Sequence, residues 1–211
     1  MSASVPVSRR VNVRTPEVME RVQAEVETHY RSHIVEQIRA KGSVIQIGST
    51  TVRLARDFGF CYGVERAIDL AYAARKVFAD RRVFLLGEII HNQEVNRQLT
   101  EMGVVSIPNV DHEAMVATMT AEDVVIVPAF GAETRLMKLI AARGCMVVDT
   151  TCGDVMSVWK RVRQYAKTGF TSIIHGKASH EETRATSSRA MGDDGMGNYL
   201  VVLTLADVDY V

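Results

Sequence analysis

The sequence predicts an α/β protein built mainly on parallel sheets. Two observations carry this reading. From residue 51 onward, short apolar runs alternate with amphipathic stretches of helical length, and residues able to do chemistry collect where the runs end. The 211 residues are 47% hydrophobic and 24% charged, the composition of a globular chain long enough to bury one large core or two modest ones. Lys plus Arg balances Asp plus Glu at 25 each, so net charge gives no reason to expect a nucleic acid. No apolar run approaches the roughly 20 residues that span a bilayer, and no membrane segment is predicted.

The chain opens on a basic arm carrying Arg9, Arg10 and Arg14, with no acid among the first sixteen residues. Such an arm is mildly reminiscent of a transit peptide, but it reads as disordered. Thr15 and Pro16 predict the N-cap and first position of a long helix, because proline lacks the N–H that would be orphaned there. Val18, Val22, Val26, Tyr30, Ile34 and Ile38 follow at four-residue spacing as one apolar stripe, and Gly42 ends it. His29 and His33 lie four apart, but no third ligand is nearby and they read as surface histidines.

The apolar runs are 51–55, 83–86, 124–127, 146–148, 172–174 and 199–203, with helical stretches such as 64–78, 133–143 and 155–167 between them. There is no Gly/Ser-rich linker and no short-period repeat, so two domains would join tightly, near Cys152. The glycine-rich segment 191–198 reads as a surface connection. The last residues, 207–211, resemble the start of a further helix, so the chain is expected to be cut there.

Ligands of parallel α/β sheets bind beyond the carboxyl ends of the strands. The run ends lead into Phe58-Gly-Phe-Cys-Tyr-Gly-Val64, Gly87-Glu-Ile-Ile-His-Asn92, Pro128-Ala-Phe-Gly-Ala132, Asp149-Thr-Thr-Cys-Gly-Asp154 and His175-Gly-Lys-Ala-Ser-His-Glu-Glu-Thr183. One shared polar site is the expectation. Cys61 sits between Gly59 and Gly63 before a helix, where the helix end favours thiolate over thiol. Cys152 repeats the design, whereas Cys145 has neither feature and reads as a core thiol. With no apolar signal-peptide core, the protein is expected to stay in a reducing compartment, the cytoplasm or alternatively a plastid stroma, with its cysteines as thiols or metal ligands. His180, Glu181 and Glu182 open a helix that could hold an anion, and Glu182 could deliver protons; ordinary first-turn acids are the competing reading. His175 is expected to hydrogen-bond in the core and His112 to be solvent-exposed.

Read together, Gly59-Phe-Cys-Tyr-Gly-Val-Glu-Arg-Ala67, Glu88-Ile-Ile-His-Asn92, Asp149-Thr-Thr-Cys152 and His175 to Thr183 resemble the 4-hydroxy-3-methylbut-2-enyl diphosphate reductases. The N-terminal helix and Pro-Ala-Phe-Gly-Ala resemble the longer form of cyanobacteria and plastids. The resemblance implies a trefoil of three α/β units around a [4Fe–4S] cluster, each unit giving one cysteine. Here it would comprise an N-terminal arm and helix (1–50), a first unit (51–152) and an incomplete second unit (153–211), with the third absent. It further implies Cys61 and Cys152 as cluster ligands, His91 and His180 as diphosphate contacts, and Glu182 as the proton relay. The cluster would take electrons from a ferredoxin or flavodoxin, and the 211 residues alone would be inactive. At the position of a third family histidine stands Phe130, which implies one cationic contact fewer. Three rivals stand beside this reading. They are a thiol enzyme with Cys61 as nucleophile, a zinc protein using Cys61, Cys152 and a histidine, and a truncated copy without catalysis.

Overall fold

A computed structural model describes residues 9–192 and 195–211. The expectations for the first eight residues of the arm, and for Asp193 and Asp194 in the glycine-rich segment, lie outside the described residues. The arm is not free where it is described. Arg9–Arg10 forms strand β1, which pairs in parallel with β7, Met146–Asp149, and Arg10 meets Asp149 at 3.2 Å. An extended backbone beside an open sheet edge satisfies its amides by pairing, and this overrides the compositional sign of disorder.

The expected single N-terminal helix is two. Helix α1, Pro16–Tyr30, starts as anticipated, with the Thr15 hydroxyl accepting from the Val18 amide. It ends at Arg31, and Ser32 caps a second helix, α2, His33–Ala40, by accepting from the Val35 amide. A capping serine inside a four-residue apolar stripe supplies a new helix start, and Ile34 is left 69% exposed. His29 and His33 therefore sit on different helices.

The apolar run at 51–55 is also corrected. Its strand β3, Thr50–Arg53, pairs antiparallel with β2, Val44–Ile47, in a separate hairpin. All four residues of β3 are exposed, which fits an edge ribbon rather than a buried parallel strand.

The other strands of the parallel sheet follow helix α3, Tyr62–Val77. Its strands are β4, Val83–Leu86; β5, Val104–Ile107; β6, Val124–Val127; and the edge pair β7 and β1. The order is β1-β7-β6-β4-β5, all parallel. Helices α4, Gln93–Glu101, α5, His112–Ala117, and α6, Thr134–Arg143, provide the crossovers. Side chains alternate across the pleat, so both faces are buried. Val83, Leu85, Val124 and Ile126 pack with α1, α3 and α4, while Phe84, Leu86, Val125 and Val127 pack with α5 and α6. Beyond the sheet, α7, Gly153–Lys167, packs on α8, Glu181–Ala190, beside the parallel pair β8, Thr171–His175, and β9, Asn198–Val202. Helix α9, Leu205–Tyr210, follows, opened by a capping box between Thr204 and Asp207. Among the described residues no helix is long and apolar enough to cross a membrane.

One buried hydroxyl ties the N-terminal helix to the body. Tyr72, fully buried on α3, donates to Gln98 Oε1 at 3.1 Å and lies 2.8 Å from His29 Nδ1 and 3.3 Å from the Tyr30 hydroxyl. Burial pushes its titration well above the ordinary tyrosine range. Tyr72→Phe keeps the ring but leaves these groups short of a partner. We expect a loss of about 1–3 kcal/mol, read as a lower urea midpoint at unchanged slope.

Candidate functional site

Strand order places the site. β4 pairs with β5 on one side and β6 on the other, so the chain leaves their carboxyl ends in opposite directions and opens a crevice at that switch point. The segment after β4 carries Glu88 and His91, and the segment after β6 carries Phe130. His180 arrives from the N-terminus of α8.

These groups form one cluster. The His91 ring stacks on Phe130, with centroids 4.4 Å apart and planes at 26°, and the His180 ring meets both edge-on. His91 Nε2 lies 2.9 Å from His180 Nε2, and His91 Nδ1 lies 2.9 Å from Glu88 Oε2. His180 is the N-cap of α8, its Nδ1 accepting from the Glu182 amide at 3.2 Å. Those partners determine both tautomers. His180 Nδ1 must be a bare acceptor, so its proton is on Nε2 and points to His91. His91 Nε2 must then accept, which puts its proton on Nδ1, donated to the Glu88 carboxylate. Glu181 closes the cluster, 3.8 Å from His91 Nε2, and accepts from Asn109 Nδ2 at 2.6 Å. Burial works to raise the Glu181 carboxyl. Its own backbone N–H, Asn109 and the two histidines together hold it below the usual range.

Glu182, with His175, Lys177, His180 and Thr183, lines an open cleft of about 390 Å³. His175 is exposed at the end of β8 rather than bonded in the core, because the short β8–β9 pair leaves that strand end open. His112 is half-buried rather than solvent-exposed. Its Nε2–H donates to the Ile107 carbonyl at 3.0 Å, and burial lowers its pKa.

The two cysteines repeat one local design. Cys61 is the N-cap of α3 and Cys152 that of α7, both with extended backbone and neither making a side-chain cap bond. Each thiol therefore stands at the amide end of a helix. They also approach each other's elements. A Cβ built on Gly63 would stand 2.5 Å from Cys152 Sγ, so the Cys152 sulfur rests against the first turn of Cys61's helix. Arg66, one turn along α3, donates to the carbonyls of Thr150 and Thr151. The unsubstituted Gly63 and the two uncommitted thiols suit a thiolate-held group with partners on both helix ends. Cys145 is fully buried, its S–H directed at the Thr120 carbonyl, and burial pushes its thiol up.

The sequence reading missed Glu88, Asn109 and Arg66. Glu88 could have been suspected from its place three residues before His91. Arg66 stood unremarked inside the first motif, and Asn109 had no signal at all.

Comparison with known proteins identifies the family of the chain. The family model described as LytB protein matches residues 52–211. The chain belongs to the LytB family. Among curated LytB relatives it is 48% identical over 192 residues to the 4-hydroxy-3-methylbut-2-enyl diphosphate reductase of Thermosynechococcus vestitus, covering 91% of this chain and 46% of that protein. The same-named protein of Synechococcus sp. (strain RCC307) is 45% identical over 204 residues, covering 97% and 49%. The chain thus spans about half the length of these relatives. A solved (E)-4-hydroxy-3-methyl-but-2-enyl diphosphate reductase superposes with a TM-score of 0.59 at 31% identity, covering 72% of this chain and 50% of that one. The Plasmodium falciparum E-1-hydroxy-2-methyl-but-2-enyl-4-diphosphate reductase, at 24% identity and TM-score 0.64, shares the fold and covers 74% and 45%.

The tautomers can be read directly. In ¹⁵N-resolved spectra of the histidine side chains near neutral pH, we expect His91 protonated at Nδ1 and His180 at Nε2. Glu88→Gln should shift the His91 pattern and leave His180 capping α8. The reverse tautomers would contradict the network.

Proposed function

We propose that this chain is the part of an iron–sulfur reductase that recognises diphosphate and carries two of its cysteine ligands. The reaction converts 4-hydroxy-3-methylbut-2-enyl diphosphate to isopentenyl and dimethylallyl diphosphate. The observation that carries the reading is the meeting of His91 and His180, 89 residues apart in sequence, at the sheet's switch point. The names of relatives up to 48% identical support the same reading.

A [4Fe–4S] cluster is the cofactor of this reading. Cys61 and Cys152 would hold it, with a third thiol from the part of the family's length that these residues do not match. When bound, the cluster supplies electrons, delivered by a ferredoxin- or flavodoxin-type donor, and Lewis acidity at an open iron. Two thiols are one short of that set and Cys145 is buried, so the 211 residues alone are not expected to retain a cluster or turn over substrate.

The chain's own residues bind and move protons. Diphosphate would displace His91 from His180, freeing the His180 Nε2–H for a phosphate oxygen beside the amide end of α8. His91, with Glu88 on its Nδ1–H, would take up a proton at Nε2 and become a second donor. Phe130 adds no charge but holds the His91 ring by stacking. Glu182, which lines one cleft with His180, would protonate the allylic hydroxyl so that it leaves as water.

Two variant sets test the proposal in a form of the protein carrying the rest of the family's length, purified without oxygen. Cys61→Ser and Cys152→Ser should each remove iron and the visible absorption band, and Cys145→Ser should keep both. Equal loss in all three would reject the ligand assignment. Glu182→Gln keeps size and polarity but removes the transferable proton. Turnover should fall by about 10²–10⁴-fold with KM little changed. Unchanged turnover would place the proton on another group.

A further inference from the structure

Away from the histidine cleft, two adjoining hollows of about 500 and 230 Å³ share Arg10, Asp149, Trp159, Arg163 and Arg189 as walls. Neither has a lining residue in common with the cleft at His180 and Glu182. Trp159 is the sole tryptophan of the chain and packs on Gly131. A Cβ there would overlap the indole, and the φ of +79° disfavours any side chain. The indole N–H donates to Thr186 Oγ1 at 3.2 Å, and the Arg189 guanidinium lies 3.7 Å from the ring centroid.

Arg189 is the unusual member. It is only 7% exposed, and its Nη1 donates to the Ala132 and Ala185 carbonyls and to Ser188 Oγ, yet its Nε is buried without a partner among the described residues. Burial, then the nearby Arg163, draws its pKa down to about 10. Arg10 acts in the same sense, and Asp149 and Glu133 oppose them. Neither acid is uncommitted. Asp149, the one carboxylate lining the hollows among the described residues, pairs with Arg10 and accepts from the Thr151 hydroxyl, and Glu133 pairs with Arg184. Lys138 and Lys160 add further positive charge to the walls. Among the described residues this buried guanidinium has no carboxylate of its own and stands beside two exposed ones, so it is short of negative charge.

We propose that this hollow is a second anion site, which takes a phosphate group carried by a small molecule. Guanidinium forks match the oxygens of phosphate in pairs, and the exposed Arg10 and Arg163 line the same hollow as the buried Arg189. The concavity suits a small ligand with an organic portion lying along Trp159, rather than the flat face of a protein. The site is independent of the histidine cleft in its residues, although the Trp159–Thr186 bond joins it to α8, which carries Glu182.

The single indole makes the hollow readable without a label. The 211-residue chain is titrated with inorganic pyrophosphate at constant ionic strength held by chloride, and Trp159 fluorescence is followed. We expect a saturable change, shared at higher concentration by orthophosphate and absent with chloride alone. Arg163→Gln and Arg10→Gln should each raise the midpoint about tenfold or more, as expected for a lost charged hydrogen bond. Both positions are exposed, so these variants keep the fold, which circular dichroism checks. His180→Asn should leave the midpoint in place. The absence of a saturable change would overturn the proposal, as would a response to chloride alone. A midpoint that moves with His180→Asn and not with Arg163→Gln would place the anion in the histidine cleft and overturn it equally.

Discussion

The parallel pairing of β4 with β6 is the constraint on which the rest of the structure depends. Val83 opposes Val124 and Leu85 opposes Ile126, in a register set by strands buried on both faces. A slip of one residue would send both apolar sets to the wrong side. That same register brings the segment after β4 level with the segment after β6, so His91 lands on Phe130. Because β5 flanks β4 on the opposite edge, the loops part there and leave a crevice in place of a closed surface.

A second theme is the use of helix starts. Cys61, Cys152 and His180 are each an N-cap, and each faces amides that have no partner in their own helix. Helix starts of this kind can take an anionic group without requiring a basic protein. His180 differs from the cysteines because its ring bonds the Glu182 amide. That bond fixes the ring's tautomer, and through it the tautomer of His91 and the direction of its bond to Glu88.

Several elements were legible because their signals are local. Thr15 and Pro16 capped α1 as anticipated, and the runs at 83–86 and 124–127 became buried parallel strands at those residues. The motifs around His91 and His180 marked two residues that the fold brings together, and Cys152 rests against the helix that Cys61 opens. Other elements misled because what decides them is pairing. The run at 51–55 and the strands of the sheet share the same apolar, β-branched look, yet one is an exposed hairpin arm. Arg9 and Arg10 read as disordered until an open sheet edge gave them a partner. Ser32 broke a helix that the apolar stripe would have continued, since a side-chain cap competes with a backbone bond at equal spacing.

From the residues alone follow the α/β class, the helix starts, and the identity of the two available thiols and the two histidines at the crevice. Each depends on near neighbours in the chain: a cap, a glycine beside a cysteine, a period of apolar positions. Tertiary structure decided which of these meet. It joined His91 to His180 across 89 residues, set the Cys152 sulfur against Gly63, and buried Arg189 under Trp159 with no carboxylate of its own among the described residues. Contacts of that kind depend on strand order and on the angle at which helices leave the sheet. Those are consequences of packing both faces of one core at once, and no local spacing encodes them.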